Sequence, residues 1–114
     1  DWGEGAYRVR ATKYATKMAR YELEEAREKV ELQVTQCDYK LNEANKRLLT
    51  AEKNIKRADE NLRCANLGFS EGVMGVTQVM EAQTAWNQAQ SQKIDAQIDV
   101  RLCEAGMKKA LGIR

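Results

Sequence analysis

Three of the seven glycines in this 114-residue chain, Gly68, Gly72 and Gly75, fall within eight residues of one another, and the chain has no proline at all. From Tyr7 to Asn66 there is neither glycine nor proline. Glycine reaches positive φ without a Cβ clash, so a cluster of them ends helices and permits a tight reversal. Long stretches on both sides of such a cluster, without glycine before it and with only Gly106 after it as far as Leu111, leave one simple solution, a helix that folds back on a second helix. The spacing predicts helix 1 over about 7–66, a turn over about 67–76 and helix 2 over about 77–111, with Thr77 as the start signal of the second. Asp1 to Gly5 read as a lead-in. The expected fold class is all-α: residues 1–114 as a single long antiparallel helical hairpin, coiled-coil-like, with one arm longer than the other.

Hydrophobic periodicity supports two helices. Val34, Leu41, Leu48, Ile55 and Leu62 recur every seven residues, and Cys37, Ala44, Ala51, Ala58 and Ala65 follow each of them by three. This is an a/d heptad with large residues at a and small ones at d, which lets a neighbouring helix approach closely. Upstream, Leu23, Ala26, Val30 and Val34 step by three, four and four. A four-residue step locally relaxes a left-handed supercoil. In helix 2, Val79, Ala82, Trp86, Ala89, Ala96, Val100, Cys103, Met107 and Ala110 form one stripe, interrupted by Lys93. Met80, Ile94, Ile98, Leu102 and Ala105 form a second, weaker one. Two stripes suggest two neighbours. The seam is expected to involve Val34, Leu41, Leu48, Ile55, Leu62 and Trp86.

The arms differ in reach. At 1.5 Å per residue they measure on the order of 90 Å and 50 Å. A reversal at residue 72 or 73 sets Leu111 beside a position near 34, so residues from about 7 to 33 find no partner within the hairpin. Their apolar spacing nevertheless continues, and wet apolar surface costs about 25 cal/mol per Å². This part of helix 1 should therefore pack against something else, and the chain by itself should self-associate.

Composition narrows the function classes. A net charge of +2, with no arginine cluster interleaved with aromatics, argues against a nucleic-acid partner. Histidine is absent and Cys37, Cys64 and Cys103 have no metal-like spacing, so no metal or other cofactor is expected. Folding near residue 72 leaves Cys37 and Cys103 about 8 Å apart along the axis, too far for a disulfide. They read as small apolar filler, whereas Cys64 lies off the apolar phase. No run of 18 apolar residues exists to span a bilayer as a helix. The start at Asp1 without methionine and the stop at Arg114 suggest an excised fragment or a processed form. No phosphate loop and no converging carboxylates are present, so the chain does not read as an enzyme.

The stretch Leu67-Gly68-Phe69-Ser70-Glu71-Gly72-Val73-Met74-Gly75-Val76-Thr77-Gln78-Val79-Met80-Glu81-Ala82-Gln83 resembles the tip region of the outer-membrane efflux protein family, the TolC-like exit ducts of Gram-negative bacteria. The opening Asp1-Trp2-Gly3 looks like the motif that follows a barrel strand in that family. Ala110-Leu111-Gly112 looks like its closing "Ala-Leu-Gly". The match covers nearly the whole chain, with one long and one short helix in the family's order.

The resemblance implies a role as a periplasmic segment of an outer-membrane export channel. In the family three chains form one duct, a membrane β-barrel continued by an α-helical barrel, and a long helix lies beside two shorter ones stacked end to end. The implied partners are two further copies of the full-length protein, a periplasmic adaptor and an inner-membrane transporter. The glycine turn with Gly72 would lie at the periplasmic tip. Phe69 stands where tyrosine is common, Gln78 and Glu81 where acidic residues line the closed entrance, and Met74 where some members carry a basic residue. Closure through the apolar Phe69 and Met74 is the resulting expectation. The alternative is a soluble coiled-coil interaction or adaptor hairpin, whose arms would ordinarily be of similar length.

Overall fold

The computed structural model describes residues 2–113; Asp1 of the expected lead-in and Arg114 lie outside the described residues. Two helices account for nearly all of it, α1 (Trp2–Ser70, 69 residues) and α2 (Val76–Leu111, 36 residues), with no strand among the described residues. The all-α hairpin with unequal arms is what the glycine spacing requires.

Both inner boundaries and the outer one differ from expectation. α1 begins at Trp2 instead of near Tyr7, so Gly3 and Gly5 are helical. Each costs a helix about 1 kcal/mol relative to alanine. Glu4 in the first turn acts in the opposite direction, because an acid there meets the positive end of the helix dipole. α1 also continues past Asn66 to Ser70, and α2 begins at Val76, which shortens the turn to residues 71–75. Gly68 therefore belongs to the helix and not to the reversal. Thr77 lies inside the first turn of α2 and is not its cap; the N-cap is Gly75, in extended conformation at φ −88°, ψ 167°.

The chain divides into two units with the boundary between Gln36 and Cys37. The first contains only α1 residues, and from Trp2 to Gln36 every side chain is exposed except that of the half-buried Val34. Thr12, Thr16 and Thr35 donate their hydroxyls to the carbonyls of Arg8, Thr12 and Glu31, each at 2.9 Å. These bonds satisfy the hydroxyls within the helix and call on no second element. Arg27 and Glu31 form an exposed ion pair at 3.3 Å.

The second unit holds the two-helix seam. Ala44, Ala51, Ala58 and Ala65, the small d positions, are all buried. Of the large a positions only Ile55 is buried, while Leu41, Leu48 and Leu62 are half-buried. Alanine marks the line of closest approach and the leucines flank it with part of each side chain in water. From α2 come the buried Ala89, Ala96 and Val100, and the half-buried Ala82, Trp86, Cys103 and Met107. Lys93 interrupts that stripe yet is half-buried. Ile55, Ala58 and Ala89 form a compact cluster against which Trp86 packs. The Trp86 indole N–H donates to Asp59 Oδ1 across the seam, which fixes the register about a reversal near residues 72 and 73. Cys37, Cys64 and Cys103 are free thiols; Cys64 is exposed and the other two half-buried.

Candidate functional site

The turn between α1 and α2 collects the expected tip residues, and its geometry is set by backbone hydrogen bonds. At the end of α1 the Val73 N–H donates to Gly68 O at 2.8 Å and the Gly72 N–H to Phe69 O at 3.1 Å. This crossed pair is a Schellman motif, and it places Gly72 in the left-handed region at φ +76°. A side chain is strained there, so glycine is the residue the motif needs. The same arrangement ends α2, where Gly112 at φ +71° donates to Lys109 O and Ile113 to Lys108 O.

Three side-chain contacts complete the tip. Met74 folds back over Gly68, and a methyl group on Gly68 would meet Met74 Cγ at 2.7 Å and Sδ at 2.8 Å. Gly68 is buried for this reason, and the missing side chain makes room for the methionine. The Met74 N–H also donates to Gly68 O at 3.0 Å. On the α2 side, the Gly75 N–H donates to Gln78 Oε1 at 2.9 Å, so Gln78 reaches back to close the first turn. Ser70 Oγ donates to Asn66 O at 3.1 Å.

The expected residues thus divide by environment. Phe69 is 51% exposed, and Gln78 and Glu81 are exposed. Met74 is half-buried against its own chain, and the most open side chain of the turn is Val73, at 77%. Residue spacing gave no sign of the Met74–Gly68 contact, since the two are joined only by the reversal. The Trp86–Asp59 bond was accessible in principle, because the expected register sets these two residues level.

Electrostatics at and near the tip are those of solvated helices. Arg63 donates from Nη2 to Glu60 Oε1 at 2.6 Å and from Nε to Oε2 at 3.1 Å. The hydrogen bonds from the Arg63 guanidinium, with its charge, hold the Glu60 carboxyl below its usual range, and the carboxylate raises the guanidinium in turn. Farther along the hairpin an open groove is lined by Glu43, Lys46, Arg47, Asn54, Asp95 and Asp99. No group of acidic and thiol side chains suited to a metal ion occurs among the described residues. What the arrangement offers is a rigid reversal with exposed Phe69 and Val73 at its end.

A family model described as "Outer membrane efflux protein" matches residues 1–113. No curated protein and no solved structure gives a significant match.

Proposed function

The chain belongs to the outer membrane efflux protein family, and on that premise we propose that it is a segment of the periplasmic α-helical duct of an efflux channel. The observation that carries this reading is the tip itself: a five-residue reversal at 71–75 built to hold one shape, joining arms of 69 and 36 residues. No described helix is long and apolar enough to cross a membrane. In this reading the segment conducts and does not catalyse. Three copies of the full-length protein form the conduit, and the 71–75 turn points toward a periplasmic adaptor and an inner-membrane transporter.

Phe69, Gly72, Met74, Gln78 and Glu81 are the proposed entrance residues, with unequal roles. Gly72 shapes the reversal. Met74 and Gln78 are engaged within the chain, by Gly68 and by the Gly75 N–H respectively. Phe69 and Glu81 remain free to face the passage or a neighbour. Closure by apolar contact then rests more on Phe69 than on Met74. The second stripe of α2, with Met80 at 64% and Leu102 at 64% exposed, is the surface available to an adjoining helix of the barrel.

The test is a photoreactive residue at Val73 in the full-length protein, since Val73 is open and Met74 is not. Capture of a periplasmic adaptor or a neighbouring copy is the expected result. Capture of a cytosolic partner, or recovery of the parent from soluble cytoplasm, would replace the duct with a coiled-coil interaction module.

A further inference from the structure

The turn between α1 and α2 is closed by one apolar side chain. Of residues 71–75 only Met74 is not exposed. A Schellman ending usually adds an apolar contact between the residue after the left-handed glycine and the third residue from the helix end. Here that pair is Val73 and Gly68, joined by the bond from the Val73 N–H to Gly68 O. Gly68 has no side chain to offer and Val73 is 77% exposed, so the usual contact is missing. Met74, one residue on, takes its place. A methyl group on Gly68 would meet Met74 Cγ at 2.7 Å and Sδ at 2.8 Å, and the Met74 N–H donates to Gly68 O. A thioether sulfur therefore sits at the point where the turn is held against α1. It is the one apolar group of the turn that oxidants convert into a polar one.

We propose that Met74 is an oxidation site for small two-electron oxidants of the peroxide class, and that its sulfoxide releases the turn from the end of α1. With hydrogen peroxide, a lone pair on Sδ takes one oxygen. The O–O bond breaks and an S–O bond forms. The proton of the transferred hydroxyl joins the departing hydroxide, so the thioether is oxidised and the peroxide is reduced to water. The product is larger and strongly polar, and it costs free energy to keep against the helix end without a hydrogen-bond donor. Met74 is half-buried, not enclosed, which leaves it open to a small reagent. Met18 and Met80 are 40% and 64% exposed, so an oxygen added there meets solvent and releases nothing. On the duct reading the site makes the shape of the entrance responsive to oxidants. The latch itself is a property of the turn and does not rest on that reading.

Hydrogen exchange of the full-length protein tests it, read by mass spectrometry on the peptide spanning 67–76 before and after mild hydrogen peroxide. One added oxygen should map to Met74. Exchange of the Val73 and Met74 amides, both bound to Gly68 O, should quicken about tenfold, the factor that loss of two methylene-sized contacts implies. A methionine sulfoxide reductase should reverse the change. Met74→Leu keeps an apolar side chain of similar volume without the sulfur, so its turn should exchange at one rate with and without peroxide. That variant retains every other methionine and cysteine, so oxidation elsewhere cannot produce a difference between the two proteins. Met74 that stays unoxidised while Met80 is converted would overturn the proposal. So would a Met74 sulfoxide whose turn exchanges as slowly as before, or an equal acceleration in Met74→Leu. Photocapture at Val73 decides the duct reading separately.

Discussion

Residues 2–36 and the hairpin from Cys37 onward use similar residues to different ends. Both carry alanine-rich apolar spacing. In the hairpin, Ala44 is fully buried and Ala51, Ala58 and Ala65 nearly so, while Leu23 in the first unit is 72% exposed and Val30 is 48% exposed. The difference does not lie in helix propensity, since both are continuous α1. It lies in the presence of α2, which ends at Leu111 and gives the heptad something to pack against. An apolar stripe therefore specifies where a partner belongs and not whether one is present.

The largest effect that would break this comparison is expected at Ile55. Ile55→Ala removes buried atoms from the cluster with Ala58 and Ala89, and thermal unfolding should show a loss of about 2 kcal/mol, the low end for buried aliphatic truncation. Leu23→Ala should change stability by less than about 0.5 kcal/mol, as for other exposed sites. Equal losses at both positions would mean that residues 2–36 are packed in solution.

Glycine substitutions should give opposite signs in the two regions. Gly72→Ala puts a side chain at φ +76° and should destabilise by about 1 kcal/mol. Gly5→Ala lies in a helix with open space around the new methyl group, and should stabilise the local helix by about 0.5–1 kcal/mol. Denaturant unfolding reads the first, and helix content by circular dichroism reads the second. At the seam, Trp86→Phe keeps an aromatic ring, though a smaller one, and loses the indole donor to Asp59, for a cost of at least about 1 kcal/mol in the same unfolding experiment.

The smallest effect is electrostatic. Glu60 is held by two hydrogen bonds from Arg63, and its carboxyl should titrate below its ordinary value in a carbon-detected NMR titration. Because the folded value is lowered, any stabilisation is present above the ordinary glutamate range and is lost as pH falls through the folded value. In Arg63→Ala the Glu60 titration should move back up. Both groups are exposed, so the global midpoint should scarcely move.

Much of the fold was legible in the residues. The glycine cluster gave the reversal, the heptad gave the seam, and the register near 72 and 73 is the one that brings Asp59 to Trp86. What escaped was local. Gly68 looked like part of the turn, but a glycine inside a helix and a glycine in a loop are alike in sequence, and only Met74 folding over it separates them. Thr77 looked like a cap by residue type, yet a Gly75 cap with Gln78 reaching back served instead. Gly3 and Gly5 read as part of a lead-in, but two modest propensity costs do not end a helix. For the tip residues, sequence placed Phe69, Gly72, Met74, Gln78 and Glu81 near one another along the chain. It could not show which of them would be occupied by contacts within it.

The most direct measurement is amide hydrogen exchange, made on the dilute chain and on the assembled full-length protein. The account predicts slow exchange in the dilute chain for residues around the buried Ala44–Ala65 seam and its α2 partners, with fast exchange across residues 2–36. In the full-length assembly the proposed duct reading puts a helical neighbour on residues 2–36, and they should then become as protected as the seam. Residues 2–36 that remain fast in the assembled protein would contradict the claim that their apolar stripe is one half of an interface.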